Sequence, residues 1–247
     1  MKKLYILTAL FISVFAAGNL FALSALEIAQ KGDAVVNAPK DARIFTTMIL
    51  RDKNGNENKR TSEIYQMSSQ KRLIRFLSPA DQRGIGFLAL PDDVMYLYLP
   101  AYHKIRQIAS HVKSQNFAGT DMTYEDLSEF ELAKAHSIEK TGEDEITYIL
   151  KLVPSDTRGK DYTYLIVHYR KDNFYPVLIE YYDASGNLIK TIERTGIVKV
   201  KGYWVAKKII ATDIRKNHST TSIMDKIEFD VGLTDDVFTK RYLIRTR

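Results

Sequence analysis

Short runs of alternating hydrophobic and polar residues, separated by turn residues, extend over most of the chain. The first two runs, 43–51 and 57–67, are joined by Lys53-Asn54-Gly55-Asn56. An Asn-Gly pair between two such runs is a strong signal for an antiparallel β-hairpin. Further runs follow at 71–77, 84–90, 94–99, 104–108, 146–153, 162–169, 177–182, 188–200, 203–214 and 221–229. The pattern therefore predicts a meander of about a dozen strands.

Two short segments have a helical pattern instead. Ser24 and Glu27 have the spacing of a capping box, so we predict a helix that begins here and ends before Pro39. Thr123 and Asp126 predict a second short helix in the middle of the chain, where the strand rhythm breaks. The apolar positions are Leu26, Ala29, Val35 and Val36 in the first helix, and Tyr124, Leu127 and Phe130 in the second.

Several strand runs are apolar on both faces. In the run 43–51, Phe45 and Ile49 oppose Ile44, Met48 and Leu50. Burial of both faces of a strand requires helices, a second layer or a ligand. Open sheets of more than about ten strands curl or split. The sequence therefore predicts a mainly β fold, in which a strongly twisted antiparallel sheet curls into an incomplete barrel with a concave face.

The N-terminus has the pattern of a secretory signal. Lys2 and Lys3 precede an uncharged apolar run, Leu4 to Ala17, which is too short to span a bilayer comfortably. We expect a cleavable signal peptide over residues 1–24 and a single mature domain over residues 25–247. The 247 residues include no cysteine, so we expect a soluble periplasmic protein without a lipid anchor, a disulfide or a thiolate site.

Charge adds little to this picture. Removal of Lys2 and Lys3 lowers the formal net charge from +6 to +4, a modest excess that favours anionic membrane surfaces. The basic residues are scattered through the strand runs, so no nucleic-acid partner is indicated. Two interpretations of one basic hairpin stay open, contact with lipid headgroups or protection of a strand edge. Its residues are Lys199, Lys201, Tyr203, Trp204, Lys207 and Lys208.

Catalytic and metal-binding motifs are missing from the sequence. The five histidines are dispersed, without an H-E-x-x-H pair or another close ligand spacing. There is no G-x-S-x-G elbow and no phosphate-binding loop. We therefore expect a protein that is not an enzyme and has no metal or cofactor, although a hydrolase site assembled from distant carboxylates is a third, weaker hypothesis.

Three segments together resemble the outer-membrane lipoprotein-sorting protein family, the LolA-like superfamily, and especially its longer bacterial members. They are RFLSPAD at 75–81 with GIGFL at 84–88, YLYLPA at 96–101 with Lys104 and Arg106, and FAGTDMTYEDL at 117–127. The resemblance extends over nearly the whole mature chain. It implies a LolA/LolB-like curved half-barrel around short helices, with an apolar cavity that shields acyl chains of lipoproteins or lipids.

The resemblance also implies a function and partners. We expect a periplasmic carrier in lipoprotein sorting to the outer membrane, which receives its cargo from an inner-membrane transporter and touches the membrane surface. The alternative is a non-enzymatic envelope scaffold or regulatory subunit that binds another protein through the curved sheet. For the carrier, the expected ligand contacts are Phe76, Phe87, Leu97, Leu99, Phe117, Met122 and Tyr124.

The segment 117–127 has two interpretations. It is either a lid or rim whose Phe117, Met122 and Tyr124 touch the ligand, or a purely structural loop. In the structural interpretation Gly119 supplies a special backbone angle, and polar residues cap the helix that follows. The two interpretations differ in whether the aromatic side chains face a cavity or a closed core.

Overall fold

The structure is a computed structural model that describes residues 23–69, 71–129 and 131–245. The predicted signal run, Leu4 to Ala17, and Phe130 of the second predicted helix lie outside these residues. The strands are β1 Asp41–Arg51, β2 Glu57–Met67, β3 Lys71–Ser78, β4 Gly86–Leu90, β5 Val94–Leu99, β6 Lys104–Gln107, β7 His136–Glu143, β8 Thr147–Pro154, β9 Tyr164–Arg170, β10 Pro176–Tyr182, β11 Leu188–Val200, β12 Tyr203–Asp213 and β13 His218–Phe229. The α-helices are α1 Ala25–Val36, α2 Tyr124–Ser128, α3 Leu132–Ala135 and α4 Lys240–Leu243.

All strands belong to one antiparallel sheet that does not close into a barrel, as predicted. Its order is β6-β5-β4-β3-β2-β1-β13-β12-β11-β10-β9-β8-β7. Each half of the chain forms a meander, and the pair β1–β13, with Ile44 opposite Ile227, joins the two halves. The chain must therefore cross from the edge strand β6 to the edge strand β7, and it does so through a segment that lies against the concave face.

Helix α1 packs on the concave side of the second half of the sheet. It begins at the predicted capping box, because Ser24 and Glu27 bond to each other's backbone N–H. Its buried residues are Ile28, Ala29 and Gly32. A Cβ atom on Gly32 would lie 2.3 Å from the ring of Tyr169, so only glycine lets the helix approach this closely. The predicted apolar face is wrong for Leu26, which is 48% exposed.

The C-terminal segment covers the convex side of the first half of the sheet. Phe238 and Leu243 of this segment are buried against Leu73, Leu88 and Tyr98. The Arg75 guanidinium, also buried on this side, donates to the backbone carbonyl oxygens of Tyr242 and Leu243. This cover explains why strand β3 is apolar on both faces, since the other face points into the concave side.

The strand predictions agree closely with the structure. The runs 57–67, 94–99 and 188–200 coincide with β2, β5 and β11, and the other predicted runs match a strand to within a few residues. Strand β7 escaped prediction because it is a mostly polar edge strand. The covering role of the C-terminus was also missed. In the described part of the chain, no helix is both long and apolar enough to cross a bilayer.

Candidate binding cavity

A cavity of about 210 Å³ lies between the concave face of the sheet and the segment that crosses it. This volume is many times the roughly 10–15 Å³ that one water molecule needs. Most of the lining side chains are apolar, and they come from both halves of the sheet. Examples are Ile44 and Met48 of β1, Ile74 of β3, Ile192 of β11, Val205 of β12 and Met224 of β13. The cavity can therefore hold an apolar group away from water.

The crossing loop, which we define as residues 115–128, forms one wall of the cavity. Its two arms pair with each other, because the N–H of Phe117 donates to the carbonyl oxygen of Met122 at 2.8 Å. The tip between them contains Ala118 and Gly119 at positive φ, 47° and 77°. Gly119 thus has the special backbone angle expected from the sequence. Helix α2 follows with the predicted capping box of Thr123 and Asp126.

The aromatic rings of the crossing loop face the sheet in a closed cluster. Phe117 lies 5.2 Å from Phe76 and 5.8 Å from Phe87, measured between ring centroids. Tyr124 lies 5.7 Å from Phe87 and 6.0 Å from Phe117. Phe76 and Phe87 are fully buried and Phe117 is 1% exposed. These four rings therefore anchor the loop in the core.

Two arginines of the sheet hold the crossing loop by its backbone carbonyl groups. Arg60 of β2 donates from Nη1 to the oxygen of Ala118 at 2.5 Å, and its guanidinium lies 5.4 Å from the ring centroid of Phe76. Arg72 of β3 donates from Nη1 to the oxygen of Leu127 at 2.9 Å. Burial lowers the pKa of Arg72 to about 10, and both side chains stay charged at neutral pH.

A third attachment joins the tip of the crossing loop to β13. The Asp121 carboxylate, which is 1% exposed, accepts a hydrogen bond from Thr220 Oγ1 at 2.6 Å. His218 Nδ1 lies 2.7 Å from the same carboxylate. The N–H of Asp121 donates back to Thr220 Oγ1 at 2.9 Å. Because Thr220 lies on the strand beside β1, this attachment ties the loop to the middle of the sheet.

A buried polar cluster lies behind helix α2. The Asp126 carboxylate accepts from Lys190 Nζ at 2.6 Å and from the Tyr181 hydroxyl at 2.8 Å. Nearby, Glu129 lies 3.8 Å from Lys160 Nζ. Burial raises the pKa of Glu129 to about 7, and the carboxylates of Asp126 and Asp33 add to the rise. This cluster pairs most of its charges and carries one carboxyl group that titrates near neutral pH.

The structure brings six of the seven sequence-predicted ligand residues into one apolar cluster. Phe117 and Met122 also line the cavity. Phe76, Phe87 and Tyr124 are buried in the cluster without lining the cavity, and Leu97 packs at its periphery. Leu99, on the same face of β5 as Leu97, is half-buried and lies outside both. Their roles as ligand contacts stay predictions.

Sequence reasoning missed most of the cavity wall. Ile74, Ile192 and Met224 belong to recognised strands, but alternation does not say which face is concave. The charged lining residues Arg72 and Arg194 were missed for the same reason. Trp204 of the predicted basic hairpin is part of the cavity wall. Lys199 Nζ of the same hairpin lies 4.9 Å from the ring centroid of Trp204.

Metal-binding geometry is not seen at the cavity. Over the three described ranges, no three or more His, Asp or Glu side chains are grouped so that they could hold a metal ion. His218, the histidine nearest the crossing loop, is engaged with Asp121.

Comparisons with known proteins agree with this architecture. A family model described as an uncharacterized protein matches residues 68–245. Among curated proteins, none matches the sequence. A solved domain from Vibrio parahaemolyticus, assigned to outer-membrane lipoprotein sorting, superposes with a TM-score of 0.83 at 28% identity. The superposition covers 90% of this chain and 98% of that one.

Two further solved structures share the fold. A DUF1329 family protein from Desulfovibrio piger has a TM-score of 0.82 at 24% identity, covering 89% of this chain and 97% of that one. A LolA superfamily protein from Nitrosomonas europaea has a TM-score of 0.75 at 18% identity, covering 90% of this chain and 100% of that one. The resemblance drawn from the three sequence segments is therefore confirmed at the level of the fold.

Proposed function

Because this chain belongs to the family matched over residues 68–245 and has the LolA-superfamily fold, we propose that it carries acyl chains of lipoproteins or lipids. The observation that supports the proposal is the apolar cavity between the concave sheet and the crossing loop. The Vibrio parahaemolyticus neighbour, assigned to lipoprotein sorting, points in the same direction. No chemical step is part of this function.

The energetic argument rests on the apolar walls. Transfer of an acyl chain from water into such a cavity gains about 0.8 kcal/mol per buried methylene. A chain that enters between Ile44, Ile74 and Met224 replaces empty or hydrated space by van der Waals contacts. The cavity as it stands is small for a multiply acylated cargo. Binding of a large cargo therefore involves displacement of the crossing loop, which is held both by the ring cluster and by polar contacts at its tip and its end.

The carrier works outside the cytoplasm in this proposal. The signal pattern of Lys2, Lys3 and the run to Ala17 supports export to the periplasm. Mass analysis of the mature protein from its native host should find a new N-terminus near Leu23 or Ala25. An intact Met1 in the cytoplasmic fraction would contradict this part of the proposal. The proposal also includes handover of the cargo from an inner-membrane transporter. Crosslinking in the native host tests this contact.

A cavity-filling variant tests the binding site itself. Ser222 of β13 lines the cavity, so the ring of Ser222→Phe would occupy the space proposed for the acyl chain. We expect the variant to fold and to lose affinity for an acyl probe. The measurement is titration of a fluorescent fatty-acyl probe and, in parallel, native mass spectrometry with a synthetic lipopeptide.

Ser219→Phe is the matched control. Ser219 lies on the same strand at a position that does not line the cavity. The affinity of the Ser219→Phe variant for the probe should therefore equal that of the wild type. Equal affinity of all three proteins would place the acyl chain elsewhere. A wild-type protein that takes up no acyl ligand would instead favour the scaffold alternative, in which the curved sheet binds a protein.

A further inference from the structure

Arg194 occupies an unusual position for a charged residue. It lies on β11 beside Ile192 and opposite Ile209, and all three residues line the apolar cavity. It also lines a second, outer groove of about 540 Å³, formed with residues such as Ile146, Arg170 and Val177. Arg194 therefore stands on the boundary between an apolar cavity and a wider, more polar groove.

The guanidinium of Arg194 has few protein partners. Among the described residues it makes one hydrogen bond, from Nη1 to the backbone oxygen of Pro176, at 3.3 Å. Throughout the part of the chain that the structure describes, no carboxylate forms an ion pair with it. The two other cations of the groove differ in this respect, because Arg170 lies 2.7 Å from Asp172 and Lys171 lies 3.4 Å from Glu143.

The carboxylates that line the cavity are already engaged. Asp41 accepts hydrogen bonds from the N–H groups of Val231, Gly232 and Leu233, at 2.7 to 3.1 Å. Asp126 is paired with Lys190. Of the described residues that line the cavity, neither carboxylate is therefore available to Arg194.

The cavity is also lined by a second guanidinium group. Arg72, the other guanidinium of the lining, donates to the neutral oxygens of Leu127 and Gln66 at 2.9 and 2.7 Å. The charge of Arg194 contributes to the lowered pKa of Arg72, so the two groups lie within electrostatic range of each other. Two guanidinium groups that line one mostly apolar cavity favour an anion beside them.

From this arrangement we infer that the ligand is an anionic amphiphile. Its acyl chain lies in the cavity and its carboxylate or phosphate is bound by Arg194 at the boundary with the outer groove. The inference rests on the proposed acyl-carrier function and specifies its ligand class. An uncharged lipid would leave Arg194 desolvated and without a counter-ion, which disfavours binding.

The test compares three probes that share one alkyl chain, namely dodecanoate, dodecanol and dodecyltrimethylammonium. Isothermal titration calorimetry at neutral pH and below micelle formation measures each affinity for the full chain. We expect dodecanoate to bind more tightly than dodecanol, and the cationic probe to bind most weakly. The variant Arg194→Gln should lose about tenfold or more in affinity for dodecanoate, the size expected of a charge-assisted contact, and keep its affinity for dodecanol.

Two control variants make the result specific. Arg194→Lys keeps the charge and should retain most of the preference for dodecanoate. Arg170→Gln removes a groove cation that is already paired with Asp172, so it should leave the preference unchanged. If Arg170→Gln and Arg194→Gln lowered the affinity for dodecanoate equally, the preference would come from general surface charge. That result would overturn the inference.

The affinities of the wild-type protein for the three probes test the inference even if a variant does not fold. Equal affinity for dodecanoate and dodecanol would overturn the anionic headgroup site and leave the acyl-carrier function standing. Failure to bind any of the three probes would overturn the carrier function together with the inference.

Discussion

Arg60 Nη1 and the carbonyl oxygen of Ala118 lie 2.5 Å apart, which joins β2 to the tip of the crossing loop. The side chains of Asp121 and Phe117 also hold the tip against the sheet. Arg60 is 9% exposed, and burial lowers the pKa of its guanidinium. A charged group at this depth is stabilised by its contact with the loop, so loop position and cavity wall depend on each other.

Replacement of Arg60 should loosen the loop without unfolding the sheet. In Arg60→Leu the Ala118 carbonyl loses its charged donor, and we expect faster amide hydrogen exchange over residues 117–122 together with a stability loss of about 1–3 kcal/mol. Hydrogen exchange with mass spectrometry measures both. Arg51→Leu, which removes an exposed pair with Glu57, is the control and should change neither. Unchanged protection of 117–122 in Arg60→Leu would contradict the role given to Arg60.

Loss of the Asp121 carboxylate should be costly. Asp121→Ala leaves the Thr220 hydroxyl and His218 Nδ1 without their acceptor in a buried site. We expect a decrease of about 2–4 kcal/mol in the free energy of unfolding, measured by urea titration. Asp225→Ala, on β13 like Thr220 and His218, removes an exposed acceptor of Thr47. This control should cost less than about 0.5 kcal/mol. Similar losses in the two variants would refute this account.

The Phe117 side chain should behave as core. Phe117→Ala removes a ring that is 1% exposed and stacked 5.2 Å from Phe76, so we expect a loss of about 3–5 kcal/mol. Thermal and urea unfolding provide the measurement. Phe45→Ala, on the half-buried side of β1, is the comparison and should cost clearly less. A loss below about 1 kcal/mol for Phe117→Ala would favour a mobile rim instead of an anchored loop.

Glu129 should make stability depend on pH. Its pKa is raised from 4.5 to about 7 in the folded protein, so the native state binds the proton more tightly than the unfolded state does. The carboxyl group then costs nothing below about pH 4.5, and its cost grows between pH 4.5 and pH 7 to about 3 kcal/mol above pH 7. Acidification from pH 8 to pH 5 should therefore stabilise the protein through this residue.

The variant Glu129→Gln isolates this effect. Asp33, with a pKa raised to about 6 by burial, acts in the same direction, whereas His136, with a pKa lowered by burial, acts in the opposite one. Lys160, with a pKa lowered to about 8, takes up part of its proton between pH 8 and pH 7 and changes little from pH 7 to pH 5. We expect the gain of the wild type over Glu129→Gln on acidification to be about 2 kcal/mol by urea unfolding. An identical pH response of the two proteins would refute the assignment.

The sequence by itself determined the strands, the capping boxes and the class of the fold. These features depend on local properties: alternation with period two, turn residues such as Asn54-Gly55, and side chains that bond to a helix N-terminus within three residues. The sequence also predicts the members of the ring cluster, since Phe76, Phe87, Phe117 and Tyr124 are among its candidate ligand contacts. The sequence does not say whether these side chains face a cavity or the core. In the structure, all four pack in one core cluster.

Only the tertiary structure decided which face of each strand is concave and which charges point into the cavity. A period of two gives two equivalent faces, and both faces of β3 are covered, one by the crossing loop and the other by the C-terminal segment. Arg72 and Arg75 are three positions apart and therefore lie on opposite faces of β3, where one lines the cavity and the other binds the C-terminus. This choice depends on contacts between residues more than fifty positions apart, which local sequence patterns do not encode.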